Sequence, residues 1–349
     1  MWFFFFKMAD LQCQPVEVWY LRQLTITVLC VSCVAGVLGN GLVLWLAAFR
    51  MARTVTMIWF FNLALADFTV LLSVPISIYI IVYGWWPSAN LVCKLYVAFQ
   101  VLTFFASIYL LVLISVDRCI LVLYPLWARN HRTVQRATWL SITVWLLAAA
   151  ACSPYLMYRT TGKLHGCGYC YFDFNSEKET RQDWSATVAK GQMAIAITHF
   201  LLGFLVPLTV IGTCAYCIWS RLQMKGWVHA RRPKRLLLVV VSAFFIFWFP
   251  FNVVILVKSI LLTSLHQPHY PKMELITWAT FALGCFNSCL NPFLYVFIGR
   301  DFQQKIFQSL SSALVRVFGE EGFISHPVPE ANTPSEGGNS TVQTTSPPS

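Results

Sequence analysis

Few side chains in this sequence are placed to do chemistry, and most of them interrupt long apolar stretches. Asp67 stands in Leu63-Ala64-Leu65-Ala66-Asp67, the one acid in a run from Met57 to Tyr83. Other apolar runs offer it neutral oxygen-bearing company: Asn40, Ser107, Asn287, Ser288 and Asn291. A carboxylate among such groups suits a small hard cation, sodium above all, or a retained proton. The plain alternative is a hydrogen-bonded polar knot that packs helices together. Asp117-Arg118-Cys119 is the second constellation, with Arg118 closing the uncharged run Leu95–Val116. Asp117 is expected to pair with Arg118 and hold it; the alternative is an arginine snorkelling to lipid headgroups. Phosphate loops, nucleophile–base pairs and His/Glu metal motifs do not occur in the sequence, so it does not read as an enzyme.

Twelve cysteines add a third kind of chemistry. Cys30/Cys33 and Cys214/Cys217 have Cys-x-x-Cys spacing but lie within apolar runs, where they read as small packing residues. Cys13, Cys93, Cys167 and Cys170 fall in segments assigned below to the oxidising side, where disulfides persist. Cys93 is expected to bridge to Cys170, with Cys167 the alternative, pinning a loop over the mouth of the bundle. The remaining loop cysteine is then a partner for Cys13. No cysteine follows Cys289, so a palmitoyl anchor in the tail is not expected.

The elements that must position these groups are long helices. Of 349 residues, 58% are hydrophobic and only 11% charged, against about 25% charged in soluble domains. The apolar residues form long runs: Leu24–Phe49, Met57–Tyr83, Leu95–Val116, Ala137–Tyr158, Gly191–Ser220, Leu236–Val257 and Leu275–Gly299. About 20 apolar residues cross a bilayer as a helix, so an all-α membrane bundle of seven transmembrane helices follows. Strands of a barrel would alternate instead. Arg50, Arg53, Arg129, Arg132 and Arg136 gather in the first two loops of one side, and Arg221, Lys225, Arg231, Arg232, Lys234 and Arg235 in the third. Such loops stay cytoplasmic, which puts the N-terminus outside. The net charge of +11 therefore reads as topology and lipid contact, not nucleic-acid binding.

The expected organisation is an extracellular tail over 1–23, the bundle over 24–298, an amphipathic juxtamembrane helix over 299–317 and a disordered cytoplasmic tail over 318–349. The opening Met1-Trp2-Phe3-Phe4-Phe5-Phe6-Lys7 is too short for a signal h-region, and Met8 is an alternative start. Phe302, Ile306, Phe307, Leu310, Leu314 and Val317 recur at helical spacing among basic residues, as in a helix lying on a membrane surface. Pro75, Pro154, Pro207, Pro250 and Pro292 mark backbone breaks in the spans. Two of them sit in Phe247-Trp248-Phe249-Pro250 and Asn291-Pro292-Phe293-Leu294-Tyr295, where bulky or polar neighbours make kinks into two-state elements.

Gly39-Asn40, Leu63–Asp67, Cys93, Asp117-Arg118-Cys119, Trp145, Phe247–Pro250 and Asn291–Tyr295 occur in that order. The set resembles the rhodopsin-like G-protein-coupled receptors over roughly Leu24 to Leu314. Asp117-Arg118-Cys119, Asn130-His131-Arg132-Thr133-Val134 and Phe286–Tyr295 are similar to the chemoattractant branch around the formyl-peptide receptors. Val37–Trp45, Phe49–Val55, Trp227–Pro250 and Asn291–Glu321 are similar to its resolvin-type member. The resemblance implies a plasma-membrane receptor in leukocyte signalling, coupled to a Gi-type heterotrimeric G protein and, after tail phosphorylation, to arrestin. It implies a pro-resolving lipid mediator as ligand, or a chemoattractant peptide; a non-signalling decoy receptor is the remaining alternative. No cofactor is implied beyond an allosteric sodium ion at Asp67.

Departures from the family pattern narrow the ligand. Val101, Ile195 and His199 stand where formyl-peptide receptors carry an acid and two arginines, so a formylated peptide is discounted. Gln100 replaces the acid of amine receptors, and Cys285 the retinal lysine of opsins. Ala215 replaces a tyrosine often found in span five. Ala230 replaces an acid that restrains the arginine in rhodopsin, which implies basal signalling. The ligand site is expected in the outer third of the bundle, on Gln100, Val101, Phe104, His199, Trp248, Lys258, Trp278 and Phe281, with Ser77, Val97 and Phe105 beside them. Lys258, Lys272, Arg159, Lys163 and His266 are expected at its rim, where the plain alternative has the cations solvated or paired with acids such as Glu274. Asp117, Arg118, Leu126, Trp248, Pro250, Asn291, Pro292 and Tyr295 are expected to carry activation and G-protein coupling.

Overall fold

The computed structural model describes residues 18–83, 86, 89–164, 167–174, 181–224, 231–261 and 270–298. The chain divides into two compact units, Met1–Ile306 and Phe307–Ser349, and the described residues all belong to the first. The helix expected over 299–317 and the tail over 318–349 lie outside them, as do Cys13, Ala230 and His266.

The described chain is almost entirely helical. Its elements are α1 (Trp19–Phe49), α2 (Val55–Tyr83), α3 (Asn90–Leu123), the short α4 (Pro125–His131) and α5 (Val134–Tyr158). After them come β1 (Arg159–Leu164), β2 (Cys167–Phe172), α6 (Arg181–Phe200), a π-helical turn (Leu201–Leu205), α7 (Val206–Met224), α8 (Arg231–Leu261) and α9 (Tyr270–Ile298). Since α6, the π turn and α7 follow without a break, the long rods correspond to the seven expected spans. Five are long and apolar enough to cross a membrane by length and composition, and α8 contributes a shorter apolar stretch, Phe245–Leu261.

These runs become helices because a bilayer offers no partner for backbone N–H and C=O groups, which an α-helix satisfies within itself. Large apolar side chains such as Leu38, Trp139, Leu146, Tyr216 and Ile246 remain exposed, as lipid-facing residues should. The core gathers around α2 and α3, where Leu63, Leu71, Phe105, Ile108 and Leu110 are almost fully enclosed. Close helix approach uses small residues. At Gly36 an added Cβ would stand 2.2 Å from Leu71 Cδ1, and at Gly39 2.9 Å from Pro292 Cγ.

Pro75, Pro154, Pro250 and Pro292 lie inside α2, α5, α8 and α9. Pro207 follows the π turn directly. It has no N–H to offer the carbonyl four residues back, at Gly203, so the helix is already irregular where it widens.

The helices are longer than the charge-free runs: α1 begins at Trp19 and α6 at Arg181. The backbone continues helical past the ends of the charge-free runs, so charge does not mark the helix boundary. Two elements lie in segments read from the sequence only as loops. One is α4, on the inner side. The other is the antiparallel hairpin β1–β2, which pairs Arg159 with Phe172 and Leu164 with Cys167.

Candidate functional site

An elongated site runs down the bundle from the hairpin to Asp67, and a separate polar cluster lies at the other end of α3. Its roof is set by covalent chemistry. The Cys93–Cys170 disulfide ties the start of α3 to β2, with 5.8 Å between Cα atoms. Trp86 N–H donates to the Gly168 carbonyl at 2.8 Å and presses the hairpin down further. Gly168 permits this close approach, since a Cβ would stand 3.0 Å from the Trp86 carbonyl oxygen, tighter than most Cβ contacts. Cys167 is disulfide-bonded as well; its expected partner, Cys13, lies outside the described residues.

Under this roof is a cavity of about 160 Å³ lined by α3, α5, the hairpin, α6, α8 and α9. Of the expected site residues, Gln100, Val101, Phe104, His199, Trp248, Lys258, Trp278 and Phe281 all line it, as does Val97. Ser77 and Phe105 do not. Ser77 is fully buried and hydrogen-bonded to the Tyr96 hydroxyl, and Phe105 lies behind the wall, in edge contact with Phe104. Tyr96, Tyr155, Tyr171 and Phe172 line the cavity without having been expected to. The aromatic ones on the hairpin had no helical periodicity to reveal them. Burial, and after it the nearby Asp173 carboxylate, pushes the Tyr171 phenol above its ordinary pKa, so it stays a neutral donor.

His199 is 3% exposed and is fixed on two sides. Its ring stacks on Phe104 with centroids 4.9 Å apart, and its Nδ1 shares a hydrogen bond of 3.0 Å with the Tyr155 hydroxyl. Trp248 closes the floor against Phe104 and Phe251, at centroid distances of 4.7 and 5.6 Å. It rests on Gly284, where a Cβ would come within 2.6 Å of the indole. At the mouth, Lys258 is held in an ion pair with Glu274. Arg159 lies 3.9 Å over the Phe172 ring and donates through Nη1 to the Cys170 carbonyl at 3.0 Å.

Beneath Trp248 is a small chamber of about 20 Å³. Asp67, 1% exposed, accepts from Ser107 Oγ at 3.2 Å through Oδ1 and from Asn291 Nδ2 at 2.6 Å through Oδ2. Asn287 and Ser288 line the same chamber. Asn40 does not reach the carboxylate: its Nδ2 donates to the Gly36 and Ser288 carbonyls at 3.0 and 3.1 Å, tying α1 to α9. A single water needs about 10–15 Å³, so the chamber has room for one small ion or water. One carboxylate with neutral oxygens around it fits a hard monovalent cation. Among the described residues no group of three or more His, Cys, Asp or Glu could hold a metal ion.

At the opposite end of α3, the expected Asp117–Arg118 pairing gives way to another. Arg132, at the C-terminus of α4, donates from Nε to Asp117 Oδ1 at 2.7 Å and from Nη2 to Oδ2 at 3.1 Å. Arg118 Nη2 instead donates to Thr56 Oγ1 at 3.1 Å, which also accepts from Arg132 Nη2 at 2.7 Å. Adjacent residues on a helix point about 100° apart, so Asp117 faces α4 while Arg118 faces α2. No hydrogen bond or ion pair joins Asp117 to Arg118 among the described residues. Leu126 projects from α4 and is 80% exposed. Tyr295 lies on α9, but its side chain is outside the described residues.

Residues 39–295 match the family model of the 7 transmembrane receptor (rhodopsin family). The chain is 60% identical over 330 residues to a human protein named Probable G-protein coupled receptor 32, covering 95% of this chain and 92% of that one. It is 40% identical over 304 residues to human N-formyl peptide receptor 2, covering 86% and 87% of the two chains. Mouse formyl peptide receptor 2 is 38% identical over 301 residues, covering 85% and 86%.

Proposed function

We propose, for a chain that belongs to the rhodopsin family of seven-transmembrane receptors, that its ligand is a small amphipathic anion, a pro-resolving (resolvin-type) lipid mediator, and that it signals through a Gi-type G protein. It is a multi-pass plasma-membrane receptor of the chemoattractant type, not an enzyme. The observation that carries the ligand class is the cavity: apolar and aromatic walls, a few inward polar atoms, and Arg159 and Lys258 at the mouth. Apolar sites with few polar groups are the usual form of small-molecule pockets. The names of the formyl-peptide relatives favour a peptide as the second reading.

Agonist acts by population shift. It packs against the active-state rotamer of Trp248, α8 swings about Pro250, and α9 repacks around Asn291, Pro292 and Tyr295. Arg118 leaves Thr56 and meets the G protein, with Leu126 beside it. Asp67, with Ser107, Asn287, Ser288 and Asn291, would hold a sodium ion, which supplies positive charge opposite the buried carboxylate in the inactive state. Phosphates on Ser340, Thr341, Thr344, Thr345 and Ser346 would supply anions for arrestin.

The test is agonist-driven suppression of cyclic AMP across a panel of oxygenated fatty acids and short peptides, with and without a Gi-blocking toxin. Suppression by a fatty acid, abolished by the toxin, is expected. Response only to peptides would replace the lipid reading, and a response that survives the toxin would remove the Gi assignment.

A further inference from the structure

Three polar groups in the cavity have hydrogen-bonding capacity that the described residues leave unused. Gln100 Nε2 donates to Ser73 Oγ and the Tyr96 hydroxyl at 2.9 and 2.8 Å, while its buried Oε1 has no partner. His199 has its Nδ1 engaged by Tyr155, and its buried Nε2 has none. Arg159 has one hydrogen bond, through Nη1, and its buried Nε has none. Buried polar atoms without partners are rare in folded proteins because each forfeits its water without replacement. Others lie elsewhere in the bundle, at Ser32, Asn40, Trp59, Ser141 and Asn252, but these three belong to residues lining one cavity, where a ligand can complete the bonding.

The two cations differ in availability. Lys258 is occupied by Glu274, so a carboxylate arriving there must displace another carboxylate. Arg159 has no acidic partner among the described residues. It is held by the Phe172 ring and the Cys170 carbonyl, which orient the guanidinium without neutralising it. The inner pair is different in kind. Gln100 Oε1 is an acceptor, His199 Nε2 accepts or donates according to tautomer, and both sit among Phe104, Trp248 and Phe281. A second carboxylate there would be buried without a countercharge, at high cost. An alcohol matches both atoms, since one hydroxyl donates and accepts.

We infer that Arg159, not Lys258, is the anion receptor of this cavity, and that Gln100 and His199 read hydroxyl groups on the ligand's interior. The ligand is then a long-chain carboxylic acid hydroxylated within the chain. This rests on the amphipathic-anion reading above and adds the residues that give it selectivity.

The test uses the full chain in lipid nanodiscs and equilibrium binding of three probes: a C20–C22 polyunsaturated acid bearing two or three hydroxyls, its methyl ester, and the parent acid without hydroxyls. Wild type should bind the ester and the parent acid each about tenfold more weakly than the hydroxylated acid, the size of one charged or well-buried hydrogen bond. Arg159→Gln should bind acid and ester alike yet keep its preference for hydroxyls, while Lys258→Gln keeps the preference for acid. Gln100→Leu and His199→Phe should lose the preference for hydroxyls alone. The comparison of the three probes on wild type stands even if a variant fails to fold. Equal binding of hydroxylated and parent acids by wild type would overturn the hydroxyl assignment. Loss of acid preference in Lys258→Gln instead of Arg159→Gln would overturn the assignment of Arg159 and leave the amphipathic anion standing. Wild type binding none of the three would remove both.

Discussion

Arg132 shows how one residue can change the meaning of a neighbour. Its guanidinium occupies both oxygens of Asp117, so Arg118 is hydrogen-bonded to Thr56 and not to the adjacent acid. The Asp117–Arg132 pair is partly exposed, with side chains 10% and 24% accessible, so screening limits it to about 1 kcal/mol. Arg132→Ala should therefore raise basal nucleotide exchange by about fivefold at most. Asp117→Asn should do the same, and the double variant should exceed neither, because both break one interaction. An additive double variant would separate the two residues. At the floor of the cavity, Gly284→Ala places a Cβ within 2.6 Å of the Trp248 indole. Overpacking of this kind costs about 1–3 kcal/mol, so the variant should lose thermal stability and alter basal signalling together. Unchanged melting and signalling would mean that the indole yields freely.

At the scale of elements, the hairpin is the part most dependent on a covalent tie. A two-stranded ribbon alone is marginal in water; β1–β2 is held by Cys93–Cys170 and by the Trp86–Gly168 hydrogen bond. Removing the disulfide with Cys93→Ser and Cys170→Ser together should destabilise the receptor by about 2–4 kcal/mol. Ligand affinity should fall more than in any single wall variant, because Arg159, Tyr171 and Phe172 all come from the hairpin. Retained affinity in a radioligand assay would show that the hairpin holds its place by packing alone. On the inner side, α4 presents Leu126 to solvent. Leu126→Ala should reduce agonist-stimulated nucleotide exchange several-fold, as truncation of an apolar anchor does, with ligand affinity in the absence of G protein unchanged.

Across the whole bundle, cavity and chamber are joined through Gln100, Phe104, Trp248 and Phe281, which line both. A change of ligand above Trp248 therefore meets a change of ion or water below it through shared side chains, the physical contact that coupling between two sites needs. Under the sodium proposal, added sodium chloride should lower agonist affinity in wild type more than choline chloride does. Asp67→Asn should abolish the difference. If wild type does not distinguish the two salts, the chamber holds water and the acid is a packing group.

The sequence by itself determined the number of spans, the side on which the chain begins, the family, and fewer than half of the residues lining the cavity. These are legible because the bilayer imposes a length and a charge rule on each helix separately, and because Asp67, Trp248 and Asn291 sit in local patterns that need no knowledge of neighbours. The hairpin escaped it, because two short strands stabilised by a disulfide leave little periodicity. So did the pairing that occupies Lys258, and the choice between Arg118 and Arg132 as partner of Asp117. Each depends on which charges meet across elements far apart in the chain: Lys258 with Glu274, Arg132 with Asp117. Charge and spacing list the candidates for such pairs, and only the packing of the helices decides which of them meet.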